Sequence, residues 1–425
     1  MKKNICYKIC AFLISFLFIQ NSLSQGLNFT EKEDLDEIDR FENSDLGFAE
    51  MIPIKYSLER FVPPVLNQGE ASTCVGFAMG YYGISTMHNI YFNRTSFYEK
   101  FIHSFDPQYA YTINEVNCKE GLDMFQAFRR FTNFGAKKRF FAPIDIQCSV
   151  NPITNEQYDQ ISSYLAPYQL EKFEYIQTRN NNFIENVKIN IAKNFPVMIA
   201  TNITKSLYSV KTGSSQQAVW SPQGGEENEG GHAMCVVGYD DTVNGGSFRI
   251  VNSWGTGWGD KGYFWLSYDD FYDRVVEAFV FKPYMLDFDE KGKDVGYYKD
   301  YQAYSYNNGK TNYEGSLNDD YYPNGLGIIV DKSESYALVG NFVNGYRNGK
   351  HLWITNKAFY KVDYNMGEIV QSEELGFAGE NDGMESELSR YGDKMSLKTL
   401  NNKQIDSLNK MGGVGKWQIK KAKKQ

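Results

Sequence analysis

The sequence predicts an α+β protein: a helical half, then a strand-rich antiparallel half, then a small β-rich repeat region. Three observations carry that prediction. Residues 122–134 place Phe125, Phe128 and Phe131 at three-residue spacing with Arg129 and Arg130 between them, the period of an amphipathic helix, and Gly135 stops it. From about residue 195 the chain turns to short apolar runs at 195–200, 233–237, 248–251, 263–266 and 278–281. These are rich in β-branched and aromatic residues and separated by Gly and Asn, as antiparallel strands are. Farther on, Gly315 and Gly340 stand 25 residues apart with an Asn-Gly turn after each, which suggests a hairpin repeated at a fixed period.

Taken in order, the chain opens with Lys2 and Lys3, an apolar run over 9–19 and Ser22-Leu23-Ser24. A basic end, an apolar core of about a dozen residues and small residues before a cut describe a secretory signal peptide over 1–24. The run is shorter than the roughly 18–20 residues that span a bilayer. The sequence thus predicts export, to a secreted or periplasmic location, and no transmembrane segment once 1–24 is removed. An acidic leader over 25–50 follows, with Glu31, Glu33, Asp34, Asp36, Glu37, Asp39, Glu42 and Asp45 against Lys32 and Arg40; such blocks are usually solvated and carry little structure of their own. The formal net charge of −8 and a pI near 5.3 point away from nucleic acid, whose binding rests on clustered Lys and Arg. With 31 Tyr and 30 Phe the chain can bury a sizeable core despite a mean hydropathy of −0.49.

The chemistry concentrates in three stretches. In Asn67-Gln68-Gly69-Glu70-Ala71-Ser72-Thr73-Cys74 a carboxamide stands six residues before a cysteine that opens an apolar segment running through Met79, Tyr81, Tyr82 and Ile84. A thiol at a helix N-terminus feels the positive end of the macrodipole, which favours thiolate. Taken alone, such a cysteine is as often a buried, inert one. Gly230-Gly231-His232-Ala233-Met234-Cys235-Val236-Val237 puts a histidine at the head of a strand-like run, and Asn252-Ser253-Trp254-Gly255-Thr256-Gly257-Trp258-Gly259 sets an asparagine beside an indole. The glycine run 255–259 lacks the Gly-Lys-Ser/Thr ending of a phosphate loop.

In order and wording these stretches resemble the papain family of cysteine peptidases, whose catalytic set is Cys, His and Asn with a Gln in the oxyanion hole. The resemblance implies a papain-like two-lobed fold over 51–285 and the site residues Cys74, His232, Asn252 and Gln68. Cys74 would be the nucleophile, His232 the acid and base, Asn252 the group that orients the imidazole, and Gln68 an oxyanion donor; a polypeptide is the implied substrate, and neither cofactor nor metal is implied. There are departures. Val75 stands where the family commonly has Trp, and Ala71 where it usually has the cysteine that pairs with one like Cys118. Export favours a Cys118–Cys148 disulfide instead, and Cys235 reads as a buried thiol. The leader is shorter than the family's folded propeptides, so latency is in question, although a short acidic segment can still block a cleft.

Past about Tyr284 the resemblance ends. Residues 286–310 read as a linker, 311–385 resemble MORN repeats that suggest protein or cell-surface contact, and 386–425 form a polar, basic tail. The leading expectation is an exported cysteine endopeptidase. The alternatives are a faded peptidase fold that binds through its C-terminal repeats, and a transferase using the same acyl-enzyme.

Overall fold

The computed structural model describes residues 26–41, 52–136, 170–211, 217–283, 296–298, 303–307, 311–320, 322–332, 336–355, 359–376 and 398–399. The expected signal peptide, Cys148 and nearly all of the basic tail lie outside these residues.

The helical lobe is built on the segment that Cys74 opens. It runs as an α-turn over Cys74–Gly76, a π-helical stretch over Phe77–Ile84 and a second α-helix over Ser85–Tyr91. Nearly every side chain in it is buried, so it is the lobe's central rod and not a surface helix. Helices Phe97–Ile102, Tyr109–Asn114 and Met124–Phe134 follow. The last begins where Asp123 accepts a hydrogen bond from the Gln126 N–H at 2.9 Å and ends at Gly135, whose φ of 67° breaks the helix. Its apolar stripe is the one the Phe spacing predicts. Phe128 sets its ring 4.8, 4.9 and 4.2 Å from those of Phe173, Phe279 and Phe281, which belong to the other lobe. Each such ring contributes roughly 2–3 kcal/mol on burial, so this stripe pins the lobes together.

The second lobe is an eight-stranded sheet in the order Leu170–Tyr175, Val275–Pro283, Val197–Thr204, Asn228–Asp240, Ser247–Val251, Tyr263–Ser267, Val219–Trp220; Lys55–Ser57 also pairs with Asn228–Asp240. All pairs are antiparallel except the last, between Val219–Trp220 and Tyr263–Ser267. The apolar runs of the sequence all lie in this sheet. Strand Leu170–Tyr175 and helix Phe183–Ala192 did not stand out in sequence, the strand because Glu171, Lys172 and Glu174 interrupt its apolar residues.

The leader departs from expectation. It is not a solvated arm: Leu27–Asn28 forms a parallel bridge with Leu122–Asp123, Lys32–Asp36 is a helical turn, and Ile38 is buried. Phe41 donates its N–H to Tyr175 O at 2.9 Å, and Tyr175 returns its own to Asp39 O at 2.9 Å. A short run with apolar anchors that include Leu27, Phe29 and Ile38 thus packs against both lobes, and most of its described acids are exposed.

The C-terminal region is a nine-stranded antiparallel meander from Gly296–Tyr298 to Lys398–Thr399, each strand paired with its neighbours in sequence. Its first two strands, Gly296–Tyr298 and Ala303–Asn307, fall within the stretch read as a linker, so that stretch is part of the sheet. Alternation sorts its residues: Ile328, Val330, Ala337, Val339, Leu352 and Ile354 join the main core, while Ile329, Leu338, Trp353 and Tyr364 form a separate cluster. Gly315, Gly327 and Gly340 align across three strands. The His351 ring lies where a Cβ on Gly340 would be, at 2.2 Å, and the Tyr313 ring covers Gly327 in the same way, at 2.7 Å. The glycine row is a trough for aromatic rings. Lys332 reaches Glu99 of helix Phe97–Ile102 at 3.3 Å, tying this sheet to the helical lobe.

Candidate active site

Cys74 is the first residue of its helix and is completely buried. Backbone N–H groups of Ala233, Gly26, Val75 and Cys74 itself point at its sulfur and favour thiolate, but burial outweighs them and pushes the thiol up to about 11. The expected macrodipole activation is therefore overridden by burial, and the leader's Gly26 N–H is one of the groups at the sulfur.

Ala233 follows His232 on the central strand, so its contact with the thiol sets the histidine beside the nucleophile. The pairing of Val251 with Cys235 ends the neighbouring strand next to His232, and Asn252 is the first residue beyond it. His232 Nε2 and Asn252 Oδ1 are 2.8 Å apart, and the Ser253 N–H also donates to Oδ1 at 2.8 Å. That second donor makes Oδ1 the acceptor, so Nε2 carries the proton and Nδ1 keeps the lone pair. Nδ1 has no hydrogen-bond partner among the described residues. Trp254 roofs the pair: its ring is 4.8 Å from the imidazole and 5.3 Å from both Tyr208 and Trp258, which hold it from either side. Burial lowers the His232 pKa to about 4, against the opposing pull of the Asn252 bond. Thiol and imidazole are thus both neutral while the leader is docked.

Gln68 sits at the junction of the lobes. Its Nε2 donates to Ala71 O at 2.8 Å, its Oε1 accepts from the Ser253 hydroxyl, and its backbone N–H donates to Ser253 O at 2.8 Å. Leu66 O accepts from the Gly255 N–H at 3.3 Å. These bonds lock the segment before Cys74 to the Asn-Ser-Trp stretch, so all four predicted residues meet in one place. Elsewhere, Cys235 is buried and free, as expected, and Cys118 is disulfide-bonded to a cysteine outside the described residues.

The sequence did not reveal what fills the cleft. Gly26 lies against Ser72, where a Cβ would come within 2.0 Å of the Ser72 carbonyl oxygen, and its own carbonyl accepts from the Leu122 N–H at 2.9 Å. Leu27 and Phe29 pass over Gly231, with atoms 3.0–3.1 Å from where a Cβ would stand, so only glycine leaves the leader this path beside His232. Thr30 then donates its N–H and hydroxyl to the two carboxylate oxygens of Glu277, at 2.7 and 2.9 Å. Glu277 is fully buried; its one trace in sequence is a lone acid inside the apolar run 275–281.

With the site in view, comparison with known proteins defines the class. The family model of the papain family cysteine proteases matches residues 58–278, just over half of the chain, and the chain belongs to that family. Among individual relatives, ananain of Ananas comosus is 28% identical over 213 residues, 49% of this chain and 53% of ananain. An uncharacterised peptidase C1-like protein of Acanthamoeba polyphaga mimivirus is 36% identical over 88 residues, 20% of this chain and 26% of its own length. The matches thus span about half and a quarter of these two relatives. Of solved structures, xylellain, a cysteine protease from Xylella fastidiosa, is 19% identical with a TM-score of 0.48, covering 61% of this chain and 96% of that one.

Proposed function

We propose that this chain is an exported papain-like cysteine endopeptidase that cleaves polypeptides through a Cys74 thioacyl-enzyme and is held latent by its own leader. The observation that carries this reading is the His232 ring: Asn252 fixes its tautomer, Trp254 roofs it, and its lone-pair nitrogen is left unbonded one residue from the N–H that touches the Cys74 sulfur. A structural histidine has no need of that arrangement. When the leader withdraws, water re-enters, the thiol proton passes to Nδ1, and the thiolate–imidazolium pair forms. The thiolate attacks the scissile carbonyl; the oxyanion is met by the Cys74 N–H and the Gln68 amide; His232 returns the proton to the departing amine, and water then hydrolyses the thioester.

Export rests on the basic, apolar and small-residue succession over 1–24. No helix among the described residues is long and apolar enough to cross a membrane. For the C-terminal sheet we propose MORN-like repeats that contact protein or a cell surface; the support is the aligned glycine row under aromatic rings.

The test is labelling with an epoxide that traps papain-type thiolates, with peptide mapping of the adduct. The protein with its leader docked is expected to resist. Protein cut within 42–51 and freed of 25–41 is expected to take one equivalent on Cys74, lost in Cys74→Ala. Absence of adduct on the folded, leader-free protein would replace this reading with that of a faded peptidase fold acting through its repeats.

A further inference from the structure

The first turn of the nucleophile's helix meets a side chain that the reaction described above does not use. Thr73, which precedes the turn, gives it no side-chain cap, so its leading N–H groups can bear on other acceptors. Those of Cys74 and Val75 bear on the Cys74 sulfur. Those of Val75 and Gly76 bear on the hydroxyl oxygen of Tyr111, from helix Tyr109–Asn114. The Val75 N–H is common to both, so sulfur and phenol oxygen flank one donor. Gly76 is what lets the two helices come so close: a Cβ there would stand 1.8 Å from the Pro107 carbonyl oxygen and 3.1 Å from Cε2 of the Tyr111 ring. At position 75, where the family commonly has Trp, this chain has Val, and the aromatic ring against this turn is that of Tyr111.

Tyr111 is fully buried, yet its hydroxyl closes no hydrogen bond with a described residue. A phenylalanine would fill this place with the same ring and no polar atom to desolvate. The hydroxyl therefore costs stability unless some state of the protein satisfies it. With N–H groups facing its oxygen, what it has left to offer is its own proton, which needs an acceptor. In the latent form the neutral Cys74 thiol is a poor one. The thiolate formed when the leader withdraws is a charged and much better one. The phenol gives up no proton in this exchange: burial first, then the charge at Cys74, holds Tyr111 well above its ordinary 10. We propose that Tyr111 serves the reaction as a fixed donor to the Cys74 thiolate, its O–H turning to the sulfur once the leader has left. The Gly26 N–H departs with the leader, whereas this donor belongs to the lobe itself. This rests on the peptidase reading above and deepens it.

The experiment follows alkylation of leader-released protein by iodoacetamide between about pH 4 and 9, with the adduct mapped to Cys74. The rate reports the thiolate whether or not peptide is cleaved, and its rise with pH belongs to the Cys74 and His232 pair. In Tyr111→Phe, which keeps the ring, that rise is expected to move up by about one pH unit, so that alkylation near pH 5 falls about tenfold while the plateau is kept. The melting temperature of this variant is expected to hold or increase, since an orphaned hydroxyl is gone. 3-Fluorotyrosine at position 111, a stronger O–H donor on the same ring, is expected to move the rise down. Should Tyr111→Phe not fold, the fluorotyrosine shift alone decides. These shifts in a protein that cleaves no peptide keep the role of Tyr111 and sink the peptidase reading. Coincident profiles of the wild type and the variants overturn the role of Tyr111, whether or not the protein cleaves.

Discussion

At the scale of single residues, the Asn252 side chain decides what His232 is. Its oxygen takes the Nε2 proton and the Ser253 N–H at once, and both it and the imidazole are fully buried. Asn252→Ala removes the acceptor, lets the ring change tautomer and leaves Nε2–H without a partner. Peptide turnover is expected to fall on the order of a hundredfold in kcat, with about 1–3 kcal/mol lost in stability from the orphaned donor; steady-state kinetics and denaturant unfolding read the two effects separately. The identity of this residue, and of Cys74, His232 and Gln68, was legible because long motifs surround each of them. Glu277 was not, since an acid inside an apolar strand reads equally as an edge residue until the strand order is known. Thr30 was hidden for a different reason: nothing local marks a threonine whose partner is 247 residues away.

At the scale of elements, period and composition reveal what packs by alternation. The Phe stripe of Met124–Phe134 and the five apolar strands follow from spacing because burial on one face imposes that spacing. The leader carries no such period. Its order comes from close fit, with Gly26 against the Ser72 carbonyl and Gly231 beneath Leu27 and Phe29, and close fit between distant segments leaves no mark in either sequence. The same fit makes it fragile. Gly26→Val places carbon where the Ser72 carbonyl oxygen already sits, so the leader is expected to lift from Cys74 without being cut. Epoxide labelling of the uncut variant would show this as an adduct on Cys74; continued resistance of a folded Gly26→Val protein would mean that the leader does not guard the thiol.

At the scale of the whole molecule, buried titratable groups set opposing pH responses. Burial lowers His232 and His351 to about 4 from the ordinary 6.5, so the unfolded chain binds more protons below 6.5, and their contribution is lost as pH falls from there towards 4. Glu277 runs the other way. Burial, opposed by the Thr30 bonds and abetted by Asp123, raises it from 4.5 to about 7, so its contribution is whole below 4.5 and is lost as pH rises through 7. Glu277→Gln removes that second limb. The variant is expected to gain on the wild type between pH 5 and 8, by about 3 kcal/mol at the upper end, and thermal melts across that range should show the two curves diverging as pH rises. Coincident curves would mean that Glu277 is charged and satisfied throughout.

The leader's place across the thiol also has a statistical consequence. It is joined to the rest of the chain through residues 42–51, and a tether of that length confines it at an effective concentration on the order of millimolar. Contacts too weak to inhibit from solution therefore suffice from within the chain. A single cut in the tether leaves every contact in place yet turns a unimolecular closure into a bimolecular one, and dilution then keeps the two pieces apart. The latency we propose is held by connectivity more than by affinity, and it is lost once, in one direction.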